Sequence, residues 1–347
     1  MNMTPLTASV GLALLLSAPA ALAATPAPPS ALRNAAIISP KAPGAAMLAV
    51  GRAGSRLVAT GERGIVLISD DNGARWLQGV VPVQTSLTAL RFVDRRTGWA
   101  AGHMGTILKT GDGGASWTLQ FDGVRAAALR AAGLRADGNE RAAAQLVDEG
   151  PDKPFFDLDF ADSARGYAVG AYNLAVATTD GGRNWTPLSA RLPNPKSLHL
   201  LGVRARGDAV YIAGEQGLLL RSMDGGASFQ SLPSPYQGSF FGLLITRPGT
   251  LLAYGLRGSL FRSTDHGATW GRIDSGVTAT ISAGIEDDAG GIILLTQTGD
   301  TLASQDDGVS FRTRVANLPS PAARLAVAPD GGVVLATLRG MRRQPQP

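Results

Sequence analysis

An aspartate recurs through this chain at a nearly constant interval. Asp71, Asp112, Asp180, Asp224, Asp265 and Asp306 sit in the strings SDDNGARW, TGDGGASW, TTDGGRNW, SMDGGASF, STDHGATW and SQDDGVSF, spaced 41, 68, 44, 41 and 41 residues apart. A period in this range belongs to repeat architectures, in which each unit buries its apolar faces only against its neighbours. The long interval carries an insertion of about 27 residues.

The second repeat shows what one unit contains. SLTALRFV (86–93), TGWAAG (97–102), GTILKT (105–110) and SWTLQ (116–120) are four short runs of strand-forming residues, separated by turn residues. Four such runs make one antiparallel blade. The 44 glycines, without a collagen period, supply the turns such a fold needs. ARLAVA (323–328), VVLATLRG (333–340) and MRRQ give three strands of a seventh unit, and NAAIIS (34–39) is a spare strand ahead of the first. The sequence therefore predicts an all-β, seven-bladed propeller over 34–347. Its ring is closed by residues 34–39 as the seventh blade's outer strand, because closure removes a free sheet edge.

The aspartate motif reads as a turn. Its hydroxyl and carboxylate can bond local amides, its glycine permits a sharp bend, and the closing aromatic packs beneath the hairpin. Those aromatics are Trp76, Trp117, Trp185, Phe229, Trp270 and Phe311. Ser/Thr-x-Asp-x-Gly-x-x-Trp/Phe is similar to the Asp-box, or BNR, repeat. The string GWAAGHMGTILKTGDGGASW resembles the photosystem II stability/assembly factor-like family, over roughly residues 34–343. EGPDKPFFDLDFADSARGYAVGAYN (149–173) and PYQGSFFGLL (235–244) resemble a proteobacterial branch encoded near RND-superfamily exporters. The resemblance implies a non-catalytic assembly or accessory factor for a membrane protein complex, with an RND-type exporter the leading partner.

Residues 1–23 hold an apolar run ending in Ala21-Leu22-Ala23, which predicts a secretory signal cleaved after Ala23, a linker over 24–33 and a periplasmic location. No Lys or Arg precedes the apolar run, and a retained anchor is the rival reading. Without cysteine, neither disulfides nor thiolate chemistry is open to the chain. The net charge of +5, from 32 basic and 27 acidic residues, is scattered and argues against nucleic acid. His103, His199 and His266 fall in different units, so no metal or other cofactor is expected.

For a partner, the expected surface is the face bearing the middle turns and the insertion. Residues 121–153 read as two helix-forming stretches split at Gly133 and at Asp137-Gly138, carrying Arg125, Arg130, Arg135 and Arg141. They form either a lid or arm above that face, or a helix packed on the rim. Deleting 123–149 is then expected to leave the melting temperature largely intact. Asp152, Lys153, Phe155, Tyr236, Phe240 and Phe241 would sit at the channel mouth beside the insertion, as a hot spot or as filling between blades. Middle-turn residues Arg63, His103, Tyr172, Glu215, Arg257 and Arg339 would add a polar rim. The enzymatic alternative is a glycoside hydrolase using Asp157 and Asp159, which alternate with Phe156, Leu158 and Phe160 on one strand and so share a face. The other reading of that pair is that they line a wet channel or bond amides of the neighbouring blade. A sialidase reading finds no Phe-Arg-Ile-Pro string ahead of the first box and no tyrosine after 254.

Overall fold

The computed structural model describes residues 27–315 and 321–344; the expected signal and the start of the linker lie outside them. Its strands form seven antiparallel sheets, six of four strands and one of three, each built outward in sequence order. Every inner strand touches the inner strand of the next sheet, and the seventh touches the first. The chain is a seven-bladed propeller. Blade two has its strands at Leu87–Phe92, Gly98–Gly102, Ile107–Thr110 and Thr118–Phe121, where the alternation of apolar and turn residues places them.

The core is divided into seven apolar wedges between adjacent blades. Between blades two and three, Trp99 stacks on Phe160 with centroids 3.6 Å apart and an interplanar angle of 12°. Such a wedge needs both blades, so no blade is stable alone.

All six Asp boxes share the bonds of their hydroxyl and carboxylate, and in the first two the closing tryptophan adds one to the glycine carbonyl. In the first, the Ser69 hydroxyl donates to Asp71 Oδ1 (2.8 Å) and accepts from the Gly73 amide (2.9 Å). The Arg75 amide donates to the same carboxylate (2.9 Å), and Trp76 Nε1 donates to the Gly73 carbonyl (3.1 Å). Gly73 has φ of +86°, a left-handed conformation that excludes most side chains and accounts for the glycine of the motif. These bonds hold the carboxylates below their ordinary range. The Asn184 amide and side chain bring Asp180 to about 2, and the Thr269 hydroxyl and amide do the same for Asp265.

Ring closure differs from the sequence expectation. Residues 34–39 form no strand, and among the described residues the seventh blade has only the strands Ala322–Val327, Val333–Thr337 and Gly340–Arg343. The segment instead lies along blade one: the Ala36 amide donates to the Val81 carbonyl, and the Gln78 side chain bonds both Ile37 O and Ser39 N. What closes the ring is an apolar wedge in which Val50 and Leu57 of blade one share a cluster with Ala326 and Val334 of blade seven. Face-to-face burial replaces the shared strand.

The insertion is helical, as expected. Helix α1 is the short turn Ser30–Arg33; α2 runs Gly123–Ala136 and α3 runs Glu140–Asp148. The Asp122 side chain caps α2 by accepting from the Arg125 amide, and Asn139 caps α3 through the Ala142 amide. Gly133 does not break α2, whose end is at Asp137-Gly138, where Gly138 has φ of +77°. Helix α2 packs against blade three's outer strand, Thr186–Pro187, and blade two's middle turn. Its Ala126 joins Phe121, Phe155 and Trp185 in the wedge between those blades. The insertion is thus a rim element built into the core.

Two outcomes follow. Carboxylates with depressed folded-state values stabilise fully above the ordinary value of 3.8 and lose that contribution as pH falls through about 2. The melting temperature should therefore drop between about pH 4 and 2 in a calorimetric series; a flat profile there would count against the Asp-box latch. Ala126→Asp should cost about 3 kcal/mol or more in urea unfolding, whereas Ala128→Asp on the exposed side of α2 should stay within about 0.5 kcal/mol.

Candidate functional site

Because inner strands lie edge-on to the axis, they present unpaired backbone groups to the channel. Asp157 and Asp159, on blade three's inner strand Phe155–Phe160, satisfy two of them in blade four. The Val203 amide donates to Asp157 Oδ2 (3.1 Å) and the Ala205 amide to Asp159 Oδ2 (2.9 Å). Both carboxylates are buried, at 4% and 3% exposure.

Each also meets arginine. Arg204 Nη1 of blade four lies 2.6 Å from Asp157 Oδ2, and Arg324 Nη2 of blade seven lies 3.4 Å from Asp157 Oδ1. Blades three and seven are not neighbours, so this pair spans the channel. Arg91 Nε of blade two reaches Asp159 Oδ1 at 2.9 Å. Burial works against the charge of Arg204, but Asp157, with Asp159 behind it, outweighs burial and holds its pKa above the arginine norm. The two carboxylates thus tie amides and guanidiniums of other blades to blade three.

Above these ties the channel widens into a cavity of about 810 Å³. Its lining begins at Ala49, Ala89, Asp157, Arg204, Leu244, Ala283 and Arg324 and runs toward the hairpins that join first and second strands. The Asp boxes share that face: the amides of Gly113, Gly181 and Gly225 donate to the hairpin carbonyls of Arg96, Ala164 and Asp208. The funnel therefore opens on the face opposite the insertion. Seven arginines and six carboxylates line it. Arg52 is held by Asp288 and Arg247 by Glu286. Arg206 has only the Thr246 carbonyl, and Arg95, exposed at the rim, has no carboxylate partner among the described residues.

Of the residues expected at a channel mouth beside the insertion, Phe155 and Phe240 are placed in the core instead. Phe155 and Phe240 are fully buried in wedges, Tyr236 packs edge-on against Phe240 at 5.8 Å, and Phe241 is half-buried. An inner strand starts with a residue wedged between blades, so these aromatics fill the core and offer a partner little. Lys153 is paired with Glu149 (2.7 Å), and Asp152 is exposed. On the helices, Arg125 donates to the Gln120 carbonyl, Arg135 pairs with Glu140, and burial lowers the pKa of the partly covered Arg130; only Arg141 projects without a partner among the described residues. No insertion residue lines the funnel. Arg63, His103, Tyr172, Arg257 and Arg339 are exposed on the insertion face, while Glu215 accepts from the His199 amide. Among the described residues, no group of three or more His, Asp or Glu is arranged to hold a metal ion.

Comparison with known proteins adds the following. Residues 136–299 match the family model described as photosynthesis system II assembly factor YCF48. The photosystem II assembly lipoprotein Ycf48 of Synechococcus sp. (strain CC9902) is 29% identical over 121 residues, which are 33% of this chain and 35% of that protein. The chain thus matches about a third of that curated relative's length. The solved structure of YCF48 bound to D1 peptide superposes over 89% of this chain and 94% of its own, with a TM-score of 0.64 and 15% identity. A GH74 enzyme of Niastella koreensis superposes over 89% of this chain and 53% of its own, with a TM-score of 0.61 and 14% identity. At such identities the two superpositions show a shared ring fold alone.

Removing one partner of a buried ion pair leaves the other uncompensated. Asp157→Asn should therefore destabilise the ring by roughly 3–5 kcal/mol in denaturant unfolding, and more than Asp159→Asn, whose arginine is half-exposed. Equal and small losses would contradict the role given to the cross-channel tie.

Proposed function

We propose that this chain, a photosystem II assembly factor-like BNR propeller, is a non-catalytic accessory factor that docks a segment of a membrane protein complex in the funnel of its Asp-box face. The observation that carries this reading is the fate of the channel carboxylates. Asp157 and Asp159 are committed to Val203, Ala205, Arg204, Arg324 and Arg91, which leaves the funnel a recognition surface without a free acid or base pair at its floor.

Opposite charges in near balance around the funnel favour a segment chosen by pattern over one drawn by bulk charge. Arg95 and Arg206, without carboxylate partners among the described residues, suit acidic side chains or a chain-terminal carboxylate. The YCF48 protein of similar fold is bound to a D1 peptide, which supports a polypeptide ligand. The expected signal over 1–23 supports action in the periplasm, and the strings at 149–173 and 235–244 support an RND-type exporter as the complex served. The glycoside hydrolase reading draws on the fold shared with the GH74 enzyme, and it would need Asp157 or Asp159 released from its arginines.

Arg95→Glu combined with Arg206→Glu should weaken recovery of the membrane partner at least about tenfold in a pull-down from detergent-solubilised envelopes, with the melting temperature held. Unchanged recovery would overturn docking in the funnel. Turnover of a β-glucan by the wild type that disappears in a folded Asp159→Asn variant would transfer the argument to the hydrolase.

A further inference from the structure

Among the described residues six blades finish in a fourth strand and the seventh does not, so one sheet edge differs from all the others. Its last strand, Gly340–Arg343, sets Thr337 opposite Gly340 and Val334 opposite Arg343. In blade one the same alignment sets Thr60 opposite Val66 and Leu57 opposite Ser69, and the fourth strand then pairs with Leu67 and Ile68. Met341 and Arg342 occupy the corresponding places in blade seven.

Nothing among the described residues pairs with their outer edge. Residues 34–39, which would be the natural occupants, are bonded to blade one through Val81 and Gln78. The short turn Ala42–Gly44 crosses only the start of the strand, bringing the Pro43 carbonyl against Gly340, where a β-carbon would lie 2.2 Å from that oxygen. From Met341 onward the strand has no backbone partner on this edge among the described residues. An edge of this kind is a template for a further strand from another chain.

The side chains around it carry one sign. Arg339 and Arg342 are exposed and have no carboxylate partner among the described residues, while Arg343 is paired with Asp330 at 2.6 Å. Met341 turns toward the wedge shared with blade one. A strand laid along this edge would thus meet basic side chains together with unpaired backbone.

We propose that the outer edge of blade seven is a strand-addition site for an extended acidic segment of another polypeptide, which completes the blade as its fourth strand. Backbone pairing at Met341 and Arg342 sets the register, and the two unpartnered arginines favour Glu or Asp on the added strand. The site is separate from the funnel and does not depend on the reading given to it.

The test is fluorescence anisotropy of a labelled, acetylated eight-residue peptide of alternating Val and Glu with the full chain. Binding should fall roughly tenfold or more with Arg339→Glu plus Arg342→Glu, and should be unaffected by Arg95→Glu in the funnel. The same peptide N-methylated at alternate residues keeps its charge but loses backbone donors, and it should fail to bind. This arm needs no variant of the protein. Absence of binding, as when the chain's own terminal residues fill the edge, equal binding of the N-methylated peptide, or loss only with Arg95→Glu would each overturn the proposal.

Discussion

A ring of radial blades turns the free edge of every inner strand toward its axis, and buried amides there must find acceptors. Asp157 and Asp159 do this for blade four and reach arginines of blades two, four and seven at the same time. Blade three is thereby tied to its two neighbours and to the blade across the channel. The floor of the funnel and the charge pattern above it descend from this arrangement. A pair of aspartates on one face of a strand has more than one reading in a propeller, and the amides and guanidiniums around these two support the structural one.

The repeat was legible because its chemistry is local. Serine or threonine, aspartate, glycine and aromatic close their bonds within eight residues, and Gly73 with its counterparts is required by a left-handed backbone that few other residues tolerate. Strand positions followed, since short apolar runs between such turns have little freedom. Closure was not legible in the same way. Whether Asn34–Ser39 adds to blade seven or lies along blade one depends on Gln78 and Val81, some forty residues distant, and no periodicity records it. Helix α2 passes through Gly133 because the surrounding alanines, leucines and arginines favour helix by more than one glycine costs.

The candidate site was the least legible part. Phe155 and Phe240 look alike in sequence and are placed alike, but in the core, because the first residue of an inner strand is wedged between blades. The funnel draws short stretches from all seven blades, at positions from Ala49 to Val327, and has no motif of its own. Its opening on the Asp-box face follows from ring topology combined with the cross-channel tie of Arg324 to Asp157. The insertion was readable as a lid or as a helix packed on the rim, and burial of Ala126 among Phe121 and Trp185 makes α2 a buttress of the rim.

The account rests on which face meets a membrane protein. The direct measurement is site-specific photo-crosslinking in living cells, with a photo-reactive residue placed at Val93 in the funnel and, separately, at Ala128 on exposed α2, followed by mass spectrometry of captured proteins. Capture of a membrane protein from position 93 and not from 128 is the result the account predicts. Capture from 128 alone, or of no membrane protein from either position, would contradict it.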